Sequence, residues 1–152
     1  PWTLSPKEVK VWVRYEPGTV ASGKDKGSGD YMPVGATDQG IVYIALVDDT
    51  KEEYTQSKSD FNNTWWPQIV RTKAANRQLF DKDGANVIGY GEMVLGRTEA
   101  DGMIQITIPI DYKRPGETPS NIIFVASASR YGDYFQGGEG STLYIDDIEL
   151  VY

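Results

Sequence analysis

The chain has 152 residues, a formal net charge of −7 at pH 7, and neither cysteine nor histidine. One domain is expected from that length, and the acidic balance argues against a nucleic-acid partner, whose phosphates need basic patches. Missing cysteine excludes disulfides and thiolate metal sites, and missing histidine excludes Ser-His and Cys-His nucleophile pairs and imidazole-bound zinc, so catalysis would fall to carboxylates, tyrosine, lysine or an oxygen-ligated metal.

Sixteen glycines, eight prolines, ten tyrosines and four tryptophans suit many short strands joined by turns. Lys7–Tyr15 alternates, with Val9, Val11 and Val13 on one side and Lys10, Trp12 and Arg14 on the other, the period of a half-buried strand. Glu16-Pro17-Gly18 ends it as a turn. Residues 19–39 carry Gly, Ser, Lys and Asp without periodicity and read as a long loop. Gly40–Val47 is continuously apolar, so a central strand covered on both faces is expected there.

Residues 48–64 are polar and mixed. Trp65-Trp66-Pro67 follows, then a short strand near Gln68–Thr72 and weak helical character over Ala74–Phe80. Asp81-Lys82-Asp83-Gly84 is a turn, lacking the closing Glu of a calcium loop. Val87–Leu95 is a strand whose Gly89 and Gly91 weaken it or admit a close neighbour. Met103–Ile110 alternates, with Pro109 at a strand end or an edge. Lys113–Ser120 is a loop, Asn121–Ser129 a strand, Arg130–Gly140 a loop rich in glycine and aromatics, and Ser141–Tyr152 the last strand. About seven strands without a βαβ rhythm give an all-β, antiparallel two-layer sandwich. No apolar run approaches 18 residues, so no transmembrane segment is expected. The chain begins at Pro1 with neither Met nor an apolar leader, which points to a removed signal or an upstream region.

The segment from Ser127 to Phe135 (SASRYGDYF), followed by Gly137-Gly138 and by Gly140 to Asp147 (GSTLYIDD), resembles the C-terminal signature of the putative carbohydrate metabolism domain family. Val13–Gly18 (VRYEPG) sits where that family has a strand ending in Tyr-x-Pro-Gly, and Val87–Gly91 with Ile104–Tyr112 match its paired strands. The resemblance implies a jelly-roll sandwich of the galactose-binding or carbohydrate-binding-module kind. It also implies export to the surface of polysaccharide-degrading bacteria, secreted or anchored as a lipoprotein, with more sequence and other domains upstream. Members are often described as putative glycoside hydrolases. It implies no catalytic residues, and none are carried over.

Four constellations could carry chemistry. Arg130–Gly140 gathers Tyr131, Tyr134 and Phe135 with Arg130, Asp133 and Gln136. Sugar recognition needs an aromatic face for the C–H side of the ring and planar polar groups for pairs of hydroxyls, and this loop supplies both; alternatively its aromatics cap the core while its glycines permit positive φ. Trp65 and Trp66 form the second. Neighbouring strand residues point to opposite sides, so one would enter the core and the other could serve as a binding platform or pack under a loop. Asp146-Asp147 is the third: one carboxylate should fall near the core, where an unpaired charge is costly. A structural calcium held by Asp146 would resolve that, as would a hydrogen-bonded Asp tying down a loop. The resemblance also points to a structural calcium near such an Asp. The fourth is a glycosidase pair drawn from Asp133, Glu139 and Glu92, which spacing alone does not select. The expected function is non-catalytic glycan or polysaccharide recognition, with a glycoside hydrolase or a structural spacer as alternatives.

Overall fold

The computed structural model describes residues 4–22, 32–48 and 79–152. Those residues form nine strands in chain order: β1 (Glu8–Glu16), β2 (Thr19–Ser22), β3 (Gly40–Val47), β4 (Val87–Leu95), β5 (Ile104–Pro109), β6 (Asp111–Tyr112), β7 (Asn121–Ser127), β8 (Gly137–Glu139) and β9 (Thr142–Val151). A single 3₁₀ turn, Gly132–Tyr134, interrupts the run between β7 and β8. Every strand pairing is antiparallel. The strands make a three-stranded sheet ordered β5-β1-β9, a four-stranded sheet ordered β6-β4-β3-β7, and a small β2-β8 ribbon.

The alternation read in β1 is the alternation that packs. Val9, Val11, Val13 and Tyr15 lie on the inner face with essentially no exposure. Opposite them stand Val42, Ile44 and Leu46 of β3, and the two sets share one core with Ile106, Ile108, Ile110 and Leu95. Two sheets facing each other across such a layer define a β-sandwich. Each of these aliphatic side chains contributes about 1.5–3 kcal/mol when removed from water, which holds the two sheets face to face. Tyr15 also ties the layers by a polar contact, its hydroxyl donating to the Ala128 carbonyl at 2.8 Å.

Gly89 and Gly91 do admit a close neighbour. A methyl on Gly91 would overlap the Pro109 carbonyl, and one on Gly89 would lie 3.0 Å from Ile110 Cγ2, so β4 and the end of β5 approach backbone to backbone. The Asp81–Gly84 turn also forms as read, with the Gly84 N–H donating to the Asp81 carbonyl at 3.0 Å and the Asp83 N–H to Asp81 Oδ1 at 2.9 Å.

Three expectations change. The stretch 19–39, read wholly as loop, contains β2 and a further bridge between Thr19 and Thr37. β2 pairs with β8, which lies in the Arg130–Gly140 segment, also read as loop; strands as short as these leave no hydrophobic period to detect. β3 is central, between β4 and β7, but it is covered on both faces only in its second half. Ala45 and Val47 are buried under Phe80, Tyr90 and Ile123, whereas Ile41 and Tyr43 on the same outer face are only partly covered.

The third concerns Asp146 and Asp147: both are exposed, and neither approaches the core. β9 slips in register against β1 at this point, Lys10 facing Glu149 while Trp12 faces Asp146. One β1 residue therefore opposes two on β9, a bulge that breaks the alternation. Asp147 takes a left-handed φ of 46°, and its N–H donates to Asp146 Oδ1 at 2.9 Å. The Asp146 carboxylate thus serves the bulge, and among the described residues no group of three or more acidic side chains could hold a metal ion.

Candidate functional site

The half-covered outer face of the four-stranded sheet forms the floor of a groove. Strand register puts Tyr43 of β3 beside Glu92 of β4, and Ala45 beside Tyr90. Because alternate residues share a face, Ile41, Tyr43, Tyr90 and Glu92 all look outward together. Phe80 comes in from the segment before β4 and stacks on Tyr43, ring centroids 5.6 Å apart and planes 19° from parallel. Tyr43 and Tyr90 lie 5.7 Å apart, and Phe80 and Tyr90 6.3 Å. These three rings, with Leu79, Lys82 and the Glu92 carboxylate, line a hollow of about 250 Å³.

The opposite wall is the loop after β7. Arg130, Tyr131, Asp133 and Tyr134 line the same hollow, brought there by the 3₁₀ turn. The turn is closed by the Tyr134 N–H donating to the Tyr131 carbonyl at 2.9 Å and the Phe135 N–H to the Gly132 carbonyl at 2.8 Å. The Arg130 guanidinium lies over the Tyr131 ring, 5.3 Å from its centroid, and Lys82 Nζ is 5.7 Å from the Tyr90 centroid. A second hollow of about 250 Å³ adjoins the first. It shares Ile41, Tyr43, Arg130 and Asp133 and adds Val125, Ser127, Ser129 and Gly132.

What holds this loop in place was not visible in the sequence. Asp38, only 3 % exposed, accepts four hydrogen bonds. Oδ2 takes the Ser129 hydroxyl at 2.7 Å, the Gly138 N–H at 2.7 Å and the Ser141 hydroxyl at 2.8 Å. Oδ1 takes the Gln39 N–H at 2.8 Å. One carboxylate therefore clamps both ends of the loop, and the Arg130 N–H adds a bond to the Gln39 carbonyl at 2.6 Å. Hydrogen bonds to an ionised group are the strong ones, and a buried carboxylate needs them. No periodicity marks Asp38; only its position just before an apolar strand, with serines and glycines far away in sequence, could have hinted at it.

Electrostatics in the groove favour protonated phenols. Burial is the main cause raising the Tyr90 hydroxyl well above tyrosine's ordinary value, reinforced by Glu92, whose Oε2 accepts the Tyr90 proton at 2.7 Å. Burial also raises Tyr43, with the Asp133 charge adding to it. Both tyrosines thus remain hydroxyl donors across any physiological pH. Lys82 and Arg130 face Glu92 and Asp133 around the aromatic floor, so the rim carries both signs of charge.

The remaining predicted residues fall elsewhere. Gln136 is buried and its amide is spent on Met32, donating from Nε2 to the Met32 carbonyl at 3.0 Å and accepting the Met32 N–H at 2.9 Å. Phe135 is 63 % exposed with a left-handed φ of 56° and is outside both hollows. Glu139 sits on β8, across from Thr19, and lines neither hollow. Trp65 and Trp66 lie outside the described residues. Tyr43 and Tyr90 were missed as a site because each reads equally well as a core residue of its strand, and Phe80 because it ends a stretch of weak helical character outside any strand.

A family model described as "Putative carbohydrate metabolism domain" matches residues 1–151. The chain belongs to that family. No curated protein matches the sequence significantly. Among solved structures, it is similar to a putative glycoside hydrolase from Bacteroides thetaiotaomicron, at 20% identity and a TM-score of 0.61 over 97% of this chain. It is also similar to a putative glycoside hydrolase from Bacteroides vulgatus, at 22% identity and a TM-score of 0.61 over 96% of this chain. At these identities the likeness shows a shared fold. The chain spans 38% and 52% of the length of those two chains. The family membership makes this a carbohydrate-metabolism-related β-sandwich, and among the described residues no helix is long and apolar enough to cross a membrane.

Proposed function

We propose that this domain recognises a glycan in the groove over Tyr43, Phe80 and Tyr90, as part of an exported, surface-anchored protein of polysaccharide use. The observation that carries the reading is the pairing of the aromatic floor with the Arg130–Tyr134 wall in one hollow. A sugar ring offers an apolar C–H face and a set of hydroxyls; aromatic side chains meet the first and planar charged groups the second. Four residues of the Arg130–Gly140 loop that the sequence pointed to, Arg130, Tyr131, Asp133 and Tyr134, lie in that wall.

The test is affinity electrophoresis of the full chain through gels containing starch, xylan, mixed-linkage β-glucan, mannan or pectin. At least one polysaccharide should retard the protein, and Tyr134→Ala should cut that retardation about tenfold while leaving the urea midpoint in place. No retardation by any of the five would count against carbohydrate recognition, and unfolding of Tyr134→Ala would make Tyr134 a structural residue. A second reading has its own observation, since Glu92 and Asp133 line the same hollow and a glycosidase needs two carboxyl groups around one bond. Reducing-end release from a retarding polysaccharide, abolished by Glu92→Gln, would establish that reading instead.

A further inference from the structure

We propose that the groove engages at least two consecutive sugar residues of a chain that runs across the strands, from β4 over β3 to β7. The inference rests on the carbohydrate reading and deepens it.

The direction follows from what blocks the alternative. Along β3 the outward positions are Ile41, Tyr43, Ala45 and Val47, but Ala45 and Val47 are sealed beneath Phe80, Tyr90 and Ile123. A linear ligand cannot continue past Tyr43 toward the C-terminal end of β3. Across the sheet, the two hollows lie on either side of Tyr43, one lined by Glu92 of β4 and the other by Val125 of β7. Glu92, Tyr43 and Val125 form one cross-strand row, and with neighbouring strands spaced about 4.8 Å apart the row measures about 10 Å, long enough for two linked hexose rings.

Volume agrees. Each hollow holds about 250 Å³, below the roughly 300–1,000 Å³ usual for a ligand site, whereas the adjoining pair falls within that range. The two halves differ in chemistry. The first has the stacked rings and a rim carrying Lys82 and Glu92. The second is walled by Val125, and its serines are already engaged: the Ser127 hydroxyl donates to the Ser129 carbonyl at 2.9 Å and the Ser129 hydroxyl to Asp38. Polar recognition in the second half therefore falls to Arg130 and Asp133, which border both hollows. The structure assigns them the junction, where they can reach hydroxyls on either side of one glycosidic bond.

Isothermal titration of the full chain tests this with glucose, xylose and mannose and their linear oligosaccharides of two to four residues, maltose, cellobiose, xylobiose and mannobiose included. In the series that binds, the disaccharide should bind at least tenfold more tightly than the monosaccharide, with little gain beyond three residues. Val125→Trp, which fills the second hollow, should reduce the disaccharide to the affinity of the monosaccharide. If the Trp variant lowers the urea midpoint, Val125→Leu replaces it, with a smaller loss in the same direction. Equal affinity for one and four residues, or a length dependence that survives filling of the hollow, overturns the two-residue inference alone. Binding of no sugar, together with no retardation by polysaccharide, overturns the carbohydrate reading as well.

Discussion

Replacing Asp38 with asparagine is the sharpest test of how the site is built. The substitution keeps the shape of the side chain but removes its charge and half its accepting capacity. Oδ2 now accepts from two hydroxyls and one backbone N–H. An amide nitrogen there would face three donors. The hydroxyls of Ser129 and Ser141 can rotate to accept instead; the Gly138 N–H cannot. One buried backbone donor is then unsatisfied, at about 1–3 kcal/mol, and the charge-assisted part of the other bonds is lost. If Asn instead turns its oxygen toward Oδ2's partners, the Gln39 N–H is the donor that loses out, at a similar cost. The expected destabilisation is about 2–3 kcal/mol, lowering Tm by roughly 4–12 °C for a domain of this size. Urea unfolding followed by tryptophan fluorescence measures it, with an unchanged slope showing that the two-state comparison holds. Polysaccharide retardation should weaken in parallel, because Asp38 clamps the loop that carries Arg130, Asp133 and Tyr134. A loss below about 0.5 kcal/mol would refute the clamp. A normal loss of stability with undiminished retardation would refute its coupling to the groove.

Two further outcomes follow from the same structure. Gly91→Ala should destabilise by about 1–3 kcal/mol, since its methyl meets the Pro109 carbonyl rather than a yielding side chain; a shift within experimental error in the urea midpoint would show that β4 and β5 can separate without cost. The domain should also lose stability as pH rises past about 10, because Tyr43 and Tyr90 are raised above the ordinary 10.0 by burial first and by Asp133 or Glu92 next. The unfolded chain releases those protons before the folded one does, so it binds fewer of them and the slope with pH is negative. Urea midpoints measured from pH 8 to 11 should fall only above that value, with Tyr90→Phe reducing the fall; a flat profile would contradict the buried phenols.

Period-2 alternation and short apolar runs were enough to place the strands that carry the core. Val9, Val11 and Val13 declare a buried face, Asn121–Ser127 and Thr142–Val151 lie within segments read as strands, and the absence of cysteine and histidine removes whole classes of chemistry before any coordinate is seen. The Arg130–Gly140 segment also announced itself by its density of aromatic and planar polar groups. Those are local signals, and local spacing is what a sequence records directly.

What only the tertiary structure decided depends on residues far apart in the chain. Tyr43 looks like one more apolar position in a central strand; it becomes a floor because the cover over Ala45 and Val47 stops one position short. Gln136 looks like a sugar-binding side chain, but Met32 lies within reach of its amide. Asp146 and Asp147 should have pointed to opposite sides, and a bulge against β1 turned both to solvent. Asp38 carried no signal beyond its place before an apolar strand, because a buried carboxylate is recognised by its donors, and Ser129, Gly138 and Ser141 reach it only after the sheets have packed.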